Sequence, residues 1–424
     1  MHYQGEFKQG LPHGRGKLTL SDGTVYEGEW FEGQRHGQGT EKSASGNTYS
    51  GEWLRDKRHG RGKFTTPLGM EYDGEWLQDS RTGRGVEKRA DGSSYEGQFL
   101  DGAPHGQGKW TGPKGAVYEG SWKNGRREGA GIEKLEDGST YTGQWKDDRR
   151  EGKGTEILPD GSKYVGEWRD GKRHGRGLEL TAEGHRYEGL WKNGLRDGQG
   201  EEKLKDGSIY RGEWKEGKRH GKGTLTLADR SSYRGQWQSG KAHGQGTLKK
   251  KDGFSYVGQW RDGKIHGRGL RKSADGTVYD GEFFEGKRQG HGSETRPDGS
   301  FYRGQWLEDL PHGQGEEGLK DGSRYRGEFR QGKRHGRGRE VLKNGSEYEG
   351  EWAFGLKNGK GSARLASGLR YQGDWINGKP DGRGVLTYPD GKKVEGVFKE
   401  GKLLDVSGGS PQAVDPELDQ ERKP

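Results

Sequence analysis

The 424-residue chain is 25% hydrophobic and 33% charged and carries 86 glycines, which excludes a large conventional apolar core. Its net charge of +9 is small against 75 basic and 66 acidic residues, so charge alone demands neither nucleic acid nor membrane as a partner. With no cysteine, disulfides and thiolate metal sites are excluded.

No apolar run approaches the roughly 18 residues of a membrane span, and Met1 is followed directly by repeating sequence. The expectation is a soluble chain without a signal peptide, touching membranes only peripherally. Fourteen Trp and 18 Tyr argue against disorder, and their spacing shows why they are there.

Tyrosine recurs every 23 residues from Tyr3 to Tyr371, and Val394 takes the eighteenth place. With tyrosine as position 0, position 2 is glycine in all 18 repeats, from Gly5 to Gly396. Position 4 is Trp in 13 repeats and Phe in five (Phe7, Phe99, Phe283, Phe329, Phe398). Positions 2, 7, 11, 13 and 20 hold 82 of the 86 glycines, so glycine is architectural here and not a linker.

Alternation puts Tyr164, Gly166 and Trp168 on one face and Val165, Glu167 and Arg169 on the other, as in a half-buried strand. A side-chain-free position 2 leaves room for a ring from a neighbouring strand. A second strand is expected from about position 12 to 18, for example Arg61 to Pro67 or Lys222 to Ala228. A longer turn is expected at positions 6 to 11. Position 7, glycine in 14 repeats and Asp56, Asp79, Asp148 or Asp309 in the others, is its left-handed residue. A two-residue hairpin turn is expected at Asp-Gly pairs such as Asp160-Gly161 and Asp206-Gly207. The predicted fold is all-β: an elongated, twisted, single-layer antiparallel β-meander of about 36 strands, a repeat array of β-hairpins with no helical domain.

The pattern Y-x-G-x-W-x-x-G-x-x-x-G-x-G, as in Tyr164 to Gly177, closely resembles the MORN repeat (membrane occupation and recognition nexus) over residues 3 to about 404. The resemblance implies a coiled sheet of hairpins. It also implies protein–protein scaffolding near membranes or cytoskeleton, in some members in cilia, with dimers known among relatives. Departures are few: Arg230 replaces a position-20 glycine, and the last repeat has Val394 and an incomplete second half. The expected organisation is one array over 1–404 and a disordered tail over 405–424, DVSGGSPQAVDPELDQERKP.

Ten of 13 histidines occupy position 10. Equivalent side chains in successive hairpins are about 9–10 Å apart, too far to share a zinc ion, so they read as turn-capping residues. Glycine pairs lie in strands and turns, not between a strand and a helix, so no phosphate loop is indicated. No catalytic, cofactor or metal site is therefore expected. The aromatic ladder Tyr164, Trp168, Tyr187, Trp191, Tyr210, Trp214, Tyr233 and Trp237 is structural, and its face is the expected partner surface. The long turn is expected to carry a positive edge: Lys172, Arg173, Arg176, Lys218, Arg219, Lys222, Lys333, Arg334 and Arg337. The Asp-rich short turn gives a negative edge.

The sequence reading is thus a non-catalytic cytoplasmic scaffold or adaptor with protein partners of unknown identity along an extended aromatic-lined surface. Unpaired sheet ends offer a route to a homodimer. One alternative is a peripheral membrane module binding anionic phospholipids or phosphoinositides through the basic turns. Another is a regulatory subunit of a separate enzyme. Nucleic acid is disfavoured, because the aromatics are needed to stabilise the sheet.

Overall fold

The computed structural model describes residues 1–406. The tail expected at 405–424 lies outside them, except that Asp405 and Val406 end the last strand. The described residues contain no helix, and 36 strands form an open antiparallel meander. Chain contacts divide it into two blocks: Met1–Gly207 with Glu213–Gly217, and Ser208–Gly212 with Lys218 onward. Both blocks are built from the same hairpin.

Repeat 8 shows the hairpin. Its first strand is Lys163–Arg169 and its second Lys172–Leu180. The turn between them is only Asp170-Gly171, with φ of 49° and 76°. Two successive positive φ values define a type I′ turn, whose twist matches that of the flanking strands. The connection to the next repeat is the longer one. In Leu158–Ser162, Gly161 N–H donates to Leu158 C=O and Leu158 N–H to Ser162 C=O, and only Gly161 has positive φ. This is a three-residue loop with a left-handed glycine. The two turn lengths are therefore the reverse of the sequence expectation. The Asp in the longer loop binds the residue two places on: Asp137 accepts the Ser139 O–H and N–H, which holds its carboxyl below the usual range.

The second strand starts at position 8, not 12, because position 11 is a bulge and not part of a turn. Gly166 faces Gly177 while Glu167 already faces His174, so Gly175 and Arg176 are extra on the second strand. Gly175 takes φ of 57° to make that bulge. The Arg176 N–H donates to the Glu167 carboxylate at 3.2 Å. The same bond joins Arg61 to Glu52, Arg84 to Glu75 and Gln245 to Gln236. It explains why position 3 is so often Glu or Gln: that side chain satisfies an amide the ladder leaves out.

The ring over the position-2 glycine is the repeat's own tyrosine, not a neighbour's. Tyr164 lies along Gly166 and Gly177, and its hydroxyl donates to Glu167 C=O at 3.0 Å. A methyl on Gly177 would sit 2.5 Å from Cε2 and 2.6 Å from Cζ of that ring. The last repeat is also more complete than expected, with strands Lys393–Lys399 and Lys402–Val406.

Candidate interaction surface

Position 0 and position 4 side chains share one face and pack edge to face. Tyr164 meets Trp168 at 5.3 Å and 89°, and Trp191 of the next repeat at 5.3 Å and 84°. The same contacts link Tyr187 to Trp191 and Trp214, and Tyr233 to Trp237. All eight ladder residues are buried, Tyr164 and Tyr210 completely. Burial pushes the tyrosine hydroxyls up, that of Tyr141 to about 12. The aromatic-lined partner surface expected from sequence is thus closed: the rings are spent on one another.

They are also covered. Arg173 lies 4.7 Å from the Tyr164 ring and 5.3 Å from the Trp191 ring, a cation–π position. Its guanidinium bonds Glu179 at 2.6 Å and Glu156 at 3.0 Å. The pattern continues in both directions as Arg127, Glu133, Arg150, Glu156, Arg173, Glu179, Arg196 and Glu202. The carboxylate at position 15 of one repeat bridges arginines at position 9 of two. Four position 9 arginines bond position 7 of the next repeat, three of them in addition to their own position 15 glutamate: Arg35 to Asp56, Arg58 to Asp79, Arg127 to Asp148, Arg288 to Asp309. These are the four aspartates that replace a left-handed glycine, each preceded by an arginine 21 residues upstream. That spacing was a readable signal.

The nine basic residues expected on one edge separate into three rows. Arg173, Arg219 and Arg334 lie over the rings; Arg219 is 4.8 Å from Tyr210, and buried Arg334 bonds Glu317 and Glu340. Lys172, Lys218 and Lys333 are exposed beside the type I′ turn. Arg176, Lys222 and Arg337 are exposed on the opposite face. The turn edge is not of one sign, because position 6 is often acidic and pairs with position 8 of the preceding repeat. Arg126 meets Asp147 at 3.1 Å, Arg149 meets Asp170 at 3.0 Å and Lys264 meets Glu285 at 3.0 Å. The histidines are in strands opposite position 3 and do not cap turns.

The face away from the rings is open. Glycines at positions 2 and 13 face one another from strand to strand, as in Gly74, Gly85, Gly97, Gly108 and Gly120. Their backbone, with the Cα–H side turned to the rings, forms the floor of a groove of about 660 Å³ between the side chains of the neighbouring positions. Arg61, Arg84 and Gln107 form one wall; Asp73, Val86, Glu96, Lys109 and Glu119 form the other. A second stretch of about 490 Å³ runs over Gly16 and Gly28 between Arg15, Gln38 and Glu29 on one side and Gln4, Lys17 and Glu27 on the other. Both lie in the first block. Position 12, one wall of this groove, is Lys or Arg in ten of 17 repeats and never acidic.

Comparison with curated proteins found no match. Among solved structures, the chain is similar to the TCP domain of Drosophila melanogaster SAS-4 (dCPAP), solved in complex with a proline-rich motif of Ana2. The two are 13% identical with a TM-score of 0.23, covering 41% of this chain and 86% of that one. The G-box domain of the microcephaly protein CPAP gives 12% identity and a TM-score of 0.21, covering 53% of this chain and 100% of that one. The TCP10 domain of Danio rerio CPAP gives 12% and 0.15, covering 62% and 91%. At these identities and TM-scores the likeness carries no weight for this chain. The family comparison is of a different order. The MORN repeat model matches 17 tandem stretches, from residues 3–25 to 371–393, in the same phase as the tyrosines. The chain belongs to the MORN repeat family.

Proposed function

We propose that the chain is a non-catalytic scaffold that holds an extended segment of a partner protein in the glycine-floored groove. The observation that carries this is the closure of one face and the opening of the other. The rings and arginines at positions 0, 4 and 9 contact each other, while positions 1, 12 and 14 line open groove stretches in the first block. An extended segment laid along the groove crosses one repeat, two strand spacings of about 4.8 Å, in about three residues. Each repeat offers a few polar contacts, so a partner spanning several repeats gains affinity by summation. The cytoplasm, near membrane or cytoskeleton, is the proposed setting, following from the family alone.

The test is cross-linking of the complex with its captured partner, read by mass spectrometry. Cross-links on the groove lysines Lys63, Lys109 and Lys153, lost when Arg61 and Arg84 become Glu, support the proposal. Cross-links confined to the turn lysines Lys172, Lys218 and Lys333 overturn it. So does flotation with phosphoinositide liposomes at physiological salt that disappears when those three lysines become Glu, which would select the membrane reading.

A further inference from the structure

The cover over the rings changes within the second block. Position 9 is Arg in ten repeats and position 15 is Glu in nine. In repeats 11 and 12, at Tyr233 and Tyr256, position 9 is instead Ala242 and Ile265, and position 15 is Leu248 and Arg271. Leu225 holds position 15 of repeat 10. From the strand Lys218–Thr226 to the strand Val278–Phe284, positions 0, 4, 9 and 15 carry no carboxylate. Ala242 stands opposite Trp237, Ile265 opposite Trp260, and Leu248 between Tyr233 and Tyr256. The rings beneath are less completely covered: Tyr233 is 6% and Trp260 8% exposed, against 0% and 5% for Tyr164 and Trp168. Half-buried apolar side chains have replaced the lattice of ion pairs.

One charge remains on this surface without a counter-charge. Arg271 is the only cation at position 15 in the chain. It stands between Tyr256 and Tyr279 and is half-buried. Among the described residues it makes no hydrogen bond or ion pair, and its Nε is buried without a partner. The Phe283 and Tyr279 rings lie 5.6 and 5.9 Å away, at the outer limit of a cation–π contact. Glu294 and Asp309, the carboxylates whose charge reaches it, are both held by Arg288. Burial, and Arg288 after it, pull the guanidinium below the ordinary arginine range. A half-buried cation in this position works against the fold, and the glutamate found in the other repeats would pair with Arg288 instead.

We propose that the ring face of repeats 10 to 12 is a second docking site, for a partner protein segment that sets a carboxylate on Arg271 and apolar side chains on Leu248 and Leu225. The unpaired guanidinium selects the carboxylate. Strand spacing sets the rest: Leu248 and Leu225 are one and two repeats from Arg271, about 10 and 19 Å along the sheet. The site lies on the opposite face from the glycine-floored groove and does not depend on it.

The test selects peptides from a random library on the full-length protein and re-binds the pool to variants. Arg271→Glu, and the triple variant Ala242→Arg, Leu248→Glu and Arg271→Glu, install the residue types that cover the rings elsewhere. Both are therefore expected to melt at or above the temperature of the parent. The expected result is a class of peptides that carry Asp or Glu beside apolar residues and still bind the Arg61→Glu plus Arg84→Glu variant, which sets them apart from groove binders. Arg271→Glu weakens this class by about tenfold or more, and the triple variant abolishes its binding. Exchanging the peptide's acidic residue for Lys restores binding to Arg271→Glu and abolishes it for the parent. Absence of such a class overturns the proposal, as does a class indifferent to Arg271→Glu. A melting temperature lowered by more than about 2 °C in Arg271→Glu also overturns it, because the arginine would then serve the sheet and not a ligand.

Discussion

Gly177→Ala isolates what holds a repeat together. The added methyl would meet Tyr164 Cε2 at 2.5 Å and Cζ at 2.6 Å, closer than Cβ atoms approach anything. The ring has nowhere to go: Trp168 and Trp191 hold it edge to face at 5.3 Å, and Arg173 lies over it at 4.7 Å. Overpacking of this kind costs about 1–3 kcal/mol. Displacing the hydroxyl from Glu167 C=O adds about 1 kcal/mol, for a total of about 2–4 kcal/mol. Gly171→Ala is the control. Nothing lies within 4 Å of its added methyl, so only its left-handed backbone is penalised, by about 1–2 kcal/mol. Amide exchange read by mass spectrometry is the assay, because each repeat contacts only its neighbours and the damage is local. Gly177→Ala should speed exchange over residues 163–191 and leave repeats far along the chain unchanged. Tyr164→Leu removes the clashing atoms, so in the double variant the two effects should fall short of additivity by about 1–3 kcal/mol. Additivity within about 0.5 kcal/mol would refute the ring-on-glycine account, as would equal costs for Gly171→Ala and Gly177→Ala.

Arg173→Ala leaves Glu156 with Arg150 alone and Glu179 with Arg196 alone and should cost about 1.5–3 kcal/mol by denaturant melting; exposed Arg330→Ala should stay within about 0.5 kcal/mol. Leu190→Glu should stabilise by about 0.5–1.5 kcal/mol and slow exchange of the Gln199 amide. Leu190 occupies a carboxylate position, and the bulge glycine beside it, Gly198, has relaxed to φ of 104°. Tyr72, Tyr95, Tyr118 and Tyr141 have hydroxyls pushed up to about 12 by burial, against about 10 in the unfolded chain. The unfolded state therefore loses those protons first, and stability is full below pH of about 10 and falls between about 10 and 12. Tyrosinate absorbance should rise together with loss of circular dichroism; smooth titration near 10 with the sheet intact would count against burial. The isolated fragment 164–209, two repeats, should be unfolded, since a hairpin buries its rings against neighbours it would then lack; a cooperative melt would contradict this.

The strands and the ring ladder were legible because period and alternation both depend on side chains. Tyr164, Gly166 and Trp168 announce a strand with one buried face, and the fixed phase of 23 residues announces stacking. The turns were not legible, because their geometry is set by backbone handedness that residue type reports poorly. Position 6 takes φ near 50° whether it is Asp170, Glu32, Arg55 or Phe354, so no local preference marks it. Asp-Gly at positions 19 and 20 looks like a two-residue turn, yet only the glycine is left-handed. Position 11 misled for a related reason: a glycine four residues after another suggests one long loop, while here it makes a bulge inside a continuous strand. The basic residues misled because charge was taken as a sign of exposure. Position 9 arginines spend that charge on Glu156 and Glu179 while their flat guanidinium groups cover the rings.

A repeat that uses one face to hold itself together is free to vary the other, and the variation has a mechanical consequence. If all repeats were identical, a bound segment could slide by one repeat, about 10 Å, at no cost. Positions 1 and 14 differ from repeat to repeat in a way that would prevent this. Along the first block the groove wall reads Lys109, Glu119, then Ile132, Thr142, Thr155, Val165 and Leu178, then Glu188 and Glu201, each opposite the next across the strands. Five uncharged residues between acidic ends form a stretch of about 19 Å, with Ile132 54% and Val165 40% exposed. A partner with apolar side chains matched to it would bury a carboxylate against them if displaced by one repeat. On the proposed reading, register along the groove is therefore set by positions that contribute nothing to the ladder. Substituting Ile132 and Val165 by Lys should weaken a registered partner while leaving the melting of the array unchanged. Equal loss from the same change at the charged positions Glu96 and Glu119 would show that the groove reads net charge instead.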